Sequence, residues 1–247
     1  MPRESIAGQA DEDRTEAYPC HSWSQDTERH LNEALEGVAS GGWSRGGRFQ
    51  HVKYWRRGMA VKLVPHRFTV HDYHRMAEAG IFAEDDRVEL LEGEVIEMPP
   101  IGPGHAGGVK RLMNSFLPLQ AERKVIISVQ DPIRLGERSE PQPDLALLKP
   151  RPDFYAREHP GPEDVFLMVE VMDSSASYDR EVKVPLYARF GIQETWLVDV
   201  EQEVIELYRV PGPQGYQQVR TLRRGEQLAP QAFPELILTV DELLGSL

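Results

Sequence analysis

A mixed α/β domain, one sheet flanked by helices, is the fold class this sequence predicts, and three observations predict it. Segments of helical and strand character alternate from residue 65 onward, in the order helix, hairpin, helix, strands, helix, strands. One run, Val165 to Met172, is almost wholly apolar, as a strand covered on both faces must be. With 40% hydrophobic residues among 247, the chain has enough apolar surface to bury a core of this kind.

Each element has a local reason. Thr69 to Ala79 reads as a helix, because Thr69 and Asp72 have capping-box spacing and Gly80 follows as a stop. Arg87 to Leu91 and Glu94 to Met98 read as strands joined at Glu92-Gly93, a hairpin signal. His105 to Gln120 reads as an amphipathic helix whose Val109, Leu112, Met113, Phe116 and Leu117 form one buried stripe. Lys124 to Val129 and Pro143 to Leu148 are strands on either side of the turn-rich stretch Gly136 to Pro141. A loop rich in proline and charge, Lys149 to Asp164, leads into the apolar strand.

The next helix spans Tyr178 to Phe190 and ends at Gly191. Pro185 lacks an N–H, so either the regular helix starts near Val184 or it kinks there. Glu194 to Val200, Glu203 to Val210 and Tyr216 to Leu222 are three further strands. A short helix, Thr239 to Leu244, closes the chain, with Thr239 and Glu242 again at capping-box spacing.

Residues 1–64 differ in kind. They are polar, rich in glycine, serine and arginine around Ser40 to Arg48, and without sustained apolar periodicity. They are expected to be a mostly disordered extension, with a short helix near Asp26 to Gly37, or a mis-assigned extension ahead of a true start at Met59. Residues 65–247 carry the folded domain. A single cysteine, Cys20, excludes an internal disulfide and a cysteine-based metal site. No secretory signal and no apolar run of membrane-spanning length is visible, so a cytoplasmic protein without a membrane partner is expected. The formal charge of −12 argues against high-affinity, non-specific coating of nucleic acid, since such binding is driven by Lys and Arg on phosphates.

Two carboxylates stand where their surroundings do not favour them. Asp144 opens the strand Pro143 to Leu148, and Glu170 is the lone charge within Val165 to Met172. Burying an ionised carboxylate is costly unless it is paired or holds a metal; a solvent-facing strand end or a buried ion pair is the competing explanation. Lys183 lies on the following helix, a short connection from Glu170, so that the first helical turns can reach the strand ends. Supporting candidates are Glu89 and Glu92 on the hairpin, Gln142 on the strand face of Asp144, and His105 at the opening of the amphipathic helix. Ser174, Ser175 and Asp179 read as turn and cap residues, and Trp196 as core. No histidine pair has metalloprotease spacing, and His71 and His74 look solvated, so a zinc enzyme is not expected.

Taken in order, Pro143-Asp144, Val169-Glu170-Val171, Tyr178 to Lys183, Leu186 to Ile192 and Glu194 to Asp199 resemble the Uma-two family. Arg67 to Val70, Glu89 to Glu94 and His105 resemble its N-terminal half, so the likeness covers residues 65–247. The family is assigned to the PD-(D/E)XK nuclease superfamily, which implies a restriction-endonuclease-like mixed sheet. The resemblance makes Asp144 the aspartate of the "PD" element and Glu170 the second acid. The superfamily's lysine ordinarily follows that acid by two residues, where this chain has Met172; Lys183 is the position that takes its place.

The resemblance implies a metal-dependent endonuclease acting on DNA. Asp144 and Glu170 would bind Mg²⁺, with Mn²⁺ a possible substitute, and Lys183 would assist the attacking water. A homodimer follows only by analogy with enzymes that cut both strands. The alternative is a catalytically weak nuclease-fold module that binds metal or nucleic acid within a complex.

Overall fold

The computed structural model describes residues 64–172 and 176–245. The expectations for Cys20, the helix near residues 26–37 and Met59, and those for Ser174 and Ser175, lie outside the described residues.

The chain enters the fold at helix α1 (Val70–Glu78), where Thr69 and Asp72 form the expected capping box. Strands β1 (Val88–Leu91) and β2 (Glu94–Glu97) pair antiparallel as a separate two-stranded ribbon. Their turn places Glu92 and Gly93 at φ 49° and 81°, the left-handed pair a two-residue hairpin requires. Gly93 is also sterically obligatory, because a Cβ there would lie 2.7 Å from Arg67 Cβ and 2.9 Å from Phe68 O.

Helix α2 (Pro103–Ala121) starts on Pro103, whose missing N–H costs nothing in the first turn. It buries Val109, Leu112, Phe116 and Leu119. The expected stripe is corrected here: Met113 and Leu117 are 38% and 42% exposed, because the helix meets the sheet along a narrower seam in which Leu119 takes their place.

The main sheet has six strands in the order β3-β4-β5-β6-β7-β8, made by β3 (Ile126–Ser128), β4 (Leu145–Leu148), β5 (Val165–Met172), β6 (Glu194–Asp199), β7 (Val204–Gly212) and β8 (Gly215–Arg223). All neighbours are antiparallel except β5 and β6, which are parallel and joined by a helical crossover. The sheet is therefore mixed, as the sequence predicts. Strands β9 (Gln227–Leu228) and β10 (Leu238–Thr239), a two-residue pair too short to carry a sequence pattern, precede the terminal helix α4 (Val240–Leu244), capped by Thr239.

The alternation along β5 sorts the two faces. Leu167, Val169 and Val171 join Leu112 and Phe116 of α2 and Leu243 of α4 in the larger core. Met168 joins Leu186 and Tyr187 on the opposite face. Fully burying a side chain such as Phe116 contributes about 1.5–3 kcal/mol, so these two layers supply most of the drive to fold. Glu170 shares the parity of Met168 and thus belongs to the second face. No described helix is long and apolar enough to cross a membrane.

The crossover after β5 resolves the question raised by Pro185. One helical turn (Ala176–Tyr178) runs into a π-helical turn (Asp179–Lys183), and regular α-helix α3 (Val184–Arg189) begins at Val184 with proline in its first turn. The Val184 N–H reaches back five residues to the Asp179 carbonyl. Such widened turns are common at functional sites because they re-aim a side chain. Here the re-aimed side chain is Lys183.

Candidate active site

Asp144 is the residue just before β4, and β4 pairs with β5 so that Leu145 faces Val169 across the ladder. That register brings Asp144 beside Glu170: the Asp144 N–H donates to Glu170 Oε2 at 3.3 Å, and the Val171 N–H donates to Asp144 Oδ2 at 2.9 Å. Both carboxylates line one cavity of about 300 Å³. Its wall includes Glu89, His105, Gln142, Tyr178, Asp179 and Lys183, with Pro99 to Gly102 forming the approach to α2.

Lys183 turns inward. Its Nζ lies 3.2 Å from Glu89 Oε1, 3.4 Å from Glu170 Oε1 and 3.9 Å from Asp179 Oδ1, with the lysine side chain 7% exposed. The Tyr187 hydroxyl donates to Glu170 Oε1 at 2.5 Å. Asp179, Lys183 and Tyr187 follow one another at intervals of four, the spacing that puts them on one helical face. That spacing was the available signal for Tyr187 and Asp179. The reading of Asp179 as a turn or cap residue is corrected: it is buried against the lysine.

His105, in the first turn of α2, sets its Nε2 2.9 Å from Asp144 Oδ2, and Gln130 donates to Asp144 Oδ1 at 3.2 Å. Gln130 carried no sequence signal; it reaches Asp144 from a left-handed position (φ 57°) just after β3. Gln142 uses its backbone N–H to hold Glu89 Oε2 at 3.0 Å, and its side chain donates to the Val88 carbonyl. Glu92 stands apart. It lies on the hairpin turn, pairs with Arg189 at 2.8 Å and does not line the cavity. Trp196 is fully buried core, as expected.

The electrostatics separate the two acids. Burial pushes Asp144 up, but hydrogen bonding and charge from His105, the Val171 N–H and Lys183 outweigh it and hold the carboxyl below its ordinary range. Burial pushes Glu170 well above its ordinary range; Lys183 opposes this, while Asp144 and Asp179 add to it. Burial alone would lower Lys183, yet Glu170, Glu89, Asp179 and Asp144 together raise it above a normal lysine, so it stays an ammonium.

The donor set fits a hard divalent cation. Four buried carboxylates, Glu89, Asp144, Glu170 and Asp179, line one cavity together with Arg87, His105 and Lys183 among the described residues, so oxygen ligands predominate there. Mg²⁺ prefers such oxygens, taking one or two carboxylates and filling its remaining positions with water and phosphate.

Comparison with known proteins agrees with this architecture. The family model Uma2, described as "Putative restriction endonuclease", matches residues 70–241. No curated protein is similar in sequence. A crystal structure described as "a putative nuclease belonging to DUF820 from Anabaena variabilis" superposes with a TM-score of 0.56 at 15% identity, over 72% of this chain and 97% of that one. At that identity the likeness speaks for the fold.

Proposed function

This chain belongs to the Uma2 family, a family of restriction-endonuclease type, and from that membership we propose that it is a metal-dependent endonuclease hydrolysing DNA phosphodiester bonds. The observation that carries the reading is the burial of Lys183 between Glu89 and Glu170, in the same cavity as Asp144. Asp144 and Glu170 are the residues that would hold Mg²⁺, or Mn²⁺ in its place, with Glu89 close enough to assist through water. The bound ion would supply charge neutralisation on the scissile phosphate and make a nearby water nucleophilic near neutral pH.

The protein's own groups have distinct tasks. His105 and the Val171 N–H fix the Asp144 carboxylate, and Tyr187 with Lys183 fix that of Glu170. Because Lys183 remains protonated, it serves as a donor and a positive charge. It orients the attacking water and stabilises charge on the phosphate oxygens. The absence of a lysine at position 172 is thereby made good from α3's approach, since the π turn delivers an ammonium to the same acid from the neighbouring helical segment.

The test is direct. Full-length protein is incubated with supercoiled plasmid, linear duplex, single-stranded DNA and RNA, with Mg²⁺ or Mn²⁺, beside Asp144→Ala and Glu170→Ala. Metal-dependent DNA cleavage by the parent chain that disappears in both variants is the expected result. Metal binding with no cleavage of any substrate would replace the enzyme by a binding module, and preferential RNA cleavage would change the substrate.

A further inference from the structure

A second cluster of ligand-type side chains lies outside the cavity described above. His74 comes from α1, Glu140 from the segment that bridges to Leu90 of β1, and His159 from the loop between β4 and β5. One ligand atom from each lies within 4.8 Å of the others, although the residues are up to 85 positions apart in sequence. None of the three lines the candidate active site.

The state of Glu140 is what points to a ligand. Its side chain is 2% exposed, one oxygen meets His74 Nε2 at 2.7 Å, and among the described residues the other, Oε2, is buried with no hydrogen-bond partner. A buried carboxylate oxygen left unsatisfied is costly, and native structures keep one where something else completes it. The two imidazoles meet edge to face, with ring centroids 6.2 Å apart. Both histidines are exposed, so their rings can rotate and solvent can reach a further coordination position.

The backbone beneath is fixed. The Glu140 N–H donates to Leu90 O at 2.7 Å, and Pro160, next to His159, accepts from the Arg134 N–H at 2.9 Å.

We infer that His74, Glu140 and His159 form a binding site for a borderline divalent transition metal of the zinc class, separate from the proposed Mg²⁺ cavity. Two imidazoles and one carboxylate are a known zinc donor set, with a water in the fourth position, whereas Mg²⁺ and Ca²⁺ select oxygen. Ligand atoms around a tetrahedral zinc sit about 3.4 Å apart, a contraction that exposed rings achieve by rotation. In the metal-free form the His74–Glu140 hydrogen bond holds a proton where the ion would sit. Metal binding displaces it, and Oε2 gains a partner or relaxes toward the ion. The site would clip α1 and the 149–161 loop to the β1 side of the molecule, a cross-link among three elements that otherwise meet by packing and a few hydrogen bonds.

The experiment is equilibrium dialysis of the full-length protein against Zn²⁺ in excess Mg²⁺, followed by metal analysis. The variants are His74→Gln/His159→Gln, Asp144→Asn and His71→Gln. The parent chain, His71→Gln and Asp144→Asn should retain about one more equivalent of zinc than the double variant. Zinc should raise the melting temperature of the parent and not of the double variant, because a ligand stabilises only a fold that binds it. Both mutated histidines are exposed, and far-UV circular dichroism checks that the double variant is folded. Equal zinc in the parent and the double variant, or loss of the equivalent in Asp144→Asn alone, would overturn the inference. Neither outcome depends on whether the protein cleaves nucleic acid.

Discussion

Two glutamates are buried in neighbouring strands of the same sheet, and their surroundings give them opposite characters. Glu194, at the start of β6, is fully buried, but Arg209 reaches its Oε1 through Nε at 2.7 Å and Nη2 at 2.6 Å. Trp196 Nε1 donates to the same oxygen at 2.9 Å, and the Gln231 N–H satisfies the other. Glu170 of β5 is also buried, yet it shares the Lys183 ammonium with Glu89 and Asp179 and borders a cavity. The difference teaches that burial of a carboxylate does not mark function. What sets Glu170 apart is a cavity that it shares with Glu89, Asp144 and Asp179.

The largest expected effects break the comparison outright. Glu170→Ala or Asp144→Ala should lower metal-dependent cleavage by at least about 100-fold, the scale of losing one essential charge-stabilising group. Arg209→Ala should leave cleavage within a few-fold while lowering stability by on the order of 3 kcal/mol, because it strands the Glu194 charge in the core. Plasmid nicking assays and urea denaturation on the same preparations separate the two outcomes.

Lys183→Met comes next. It removes the ammonium that Glu89, Glu170 and Asp179 share, so the metal-free protein should lose several degrees of melting temperature. Added Mg²⁺ should restore part of the loss, since a bound cation compensates the same carboxylates. An equal loss with and without Mg²⁺ would mean that these acids are not where the ion binds.

The pH dependence sharpens the contrast. Glu170 is held well above its ordinary 4.5, so its contribution to metal-free stability is complete below that pH and is lost as pH rises through the elevated value. Asp144 is depressed below 3.8, so its contribution is present above that pH and is lost as pH falls through the lower folded value. Metal-free protein should therefore lose stability with rising pH above about 4.5 through the Glu170 group. Glu170→Gln should flatten that slope, and saturating Mg²⁺ should suppress it. Thermal melts across pH with and without EDTA test this.

Smaller effects follow at the margins. His105→Ala removes one of the two partners of Asp144 Oδ2, leaving the Val171 N–H, and should cost about 10–100-fold in metal affinity, as loss of an orienting partner does. Glu92→Ala removes an exposed pair with Arg189 and should change stability by no more than about 0.5 kcal/mol, with cleavage unaltered.

What the sequence made legible follows the same physics. Local signals were strong: the capping boxes at Thr69 and Thr239, the Glu92-Gly93 turn and the apolar run of β5 each specify their element without help from elsewhere. Asp144 and Glu170 stood out because an acid in an apolar strand contradicts its neighbourhood. Partners that depend on tertiary packing left little trace. Gln130 reaches Asp144 only through the pairing of β3 with β4, Glu194 hides at a strand end where charge looks ordinary, and the exposed stripe of α2 depends on how the helix sits over the sheet. His74 is exposed, as expected, but its contact with Glu140, 66 residues away, left no trace in the sequence.

On the proposed function, the carboxylates around Glu170 bind a divalent metal, and Glu194, paired with Arg209, does not. Calorimetric titration of Mg²⁺ into the full-length protein, Glu170→Gln and Glu194→Gln measures it most directly. Binding should be retained by the parent and by Glu194→Gln, and fall below detection in Glu170→Gln. Unchanged Mg²⁺ binding in a folded Glu170→Gln protein would rule out a metal site at Glu170.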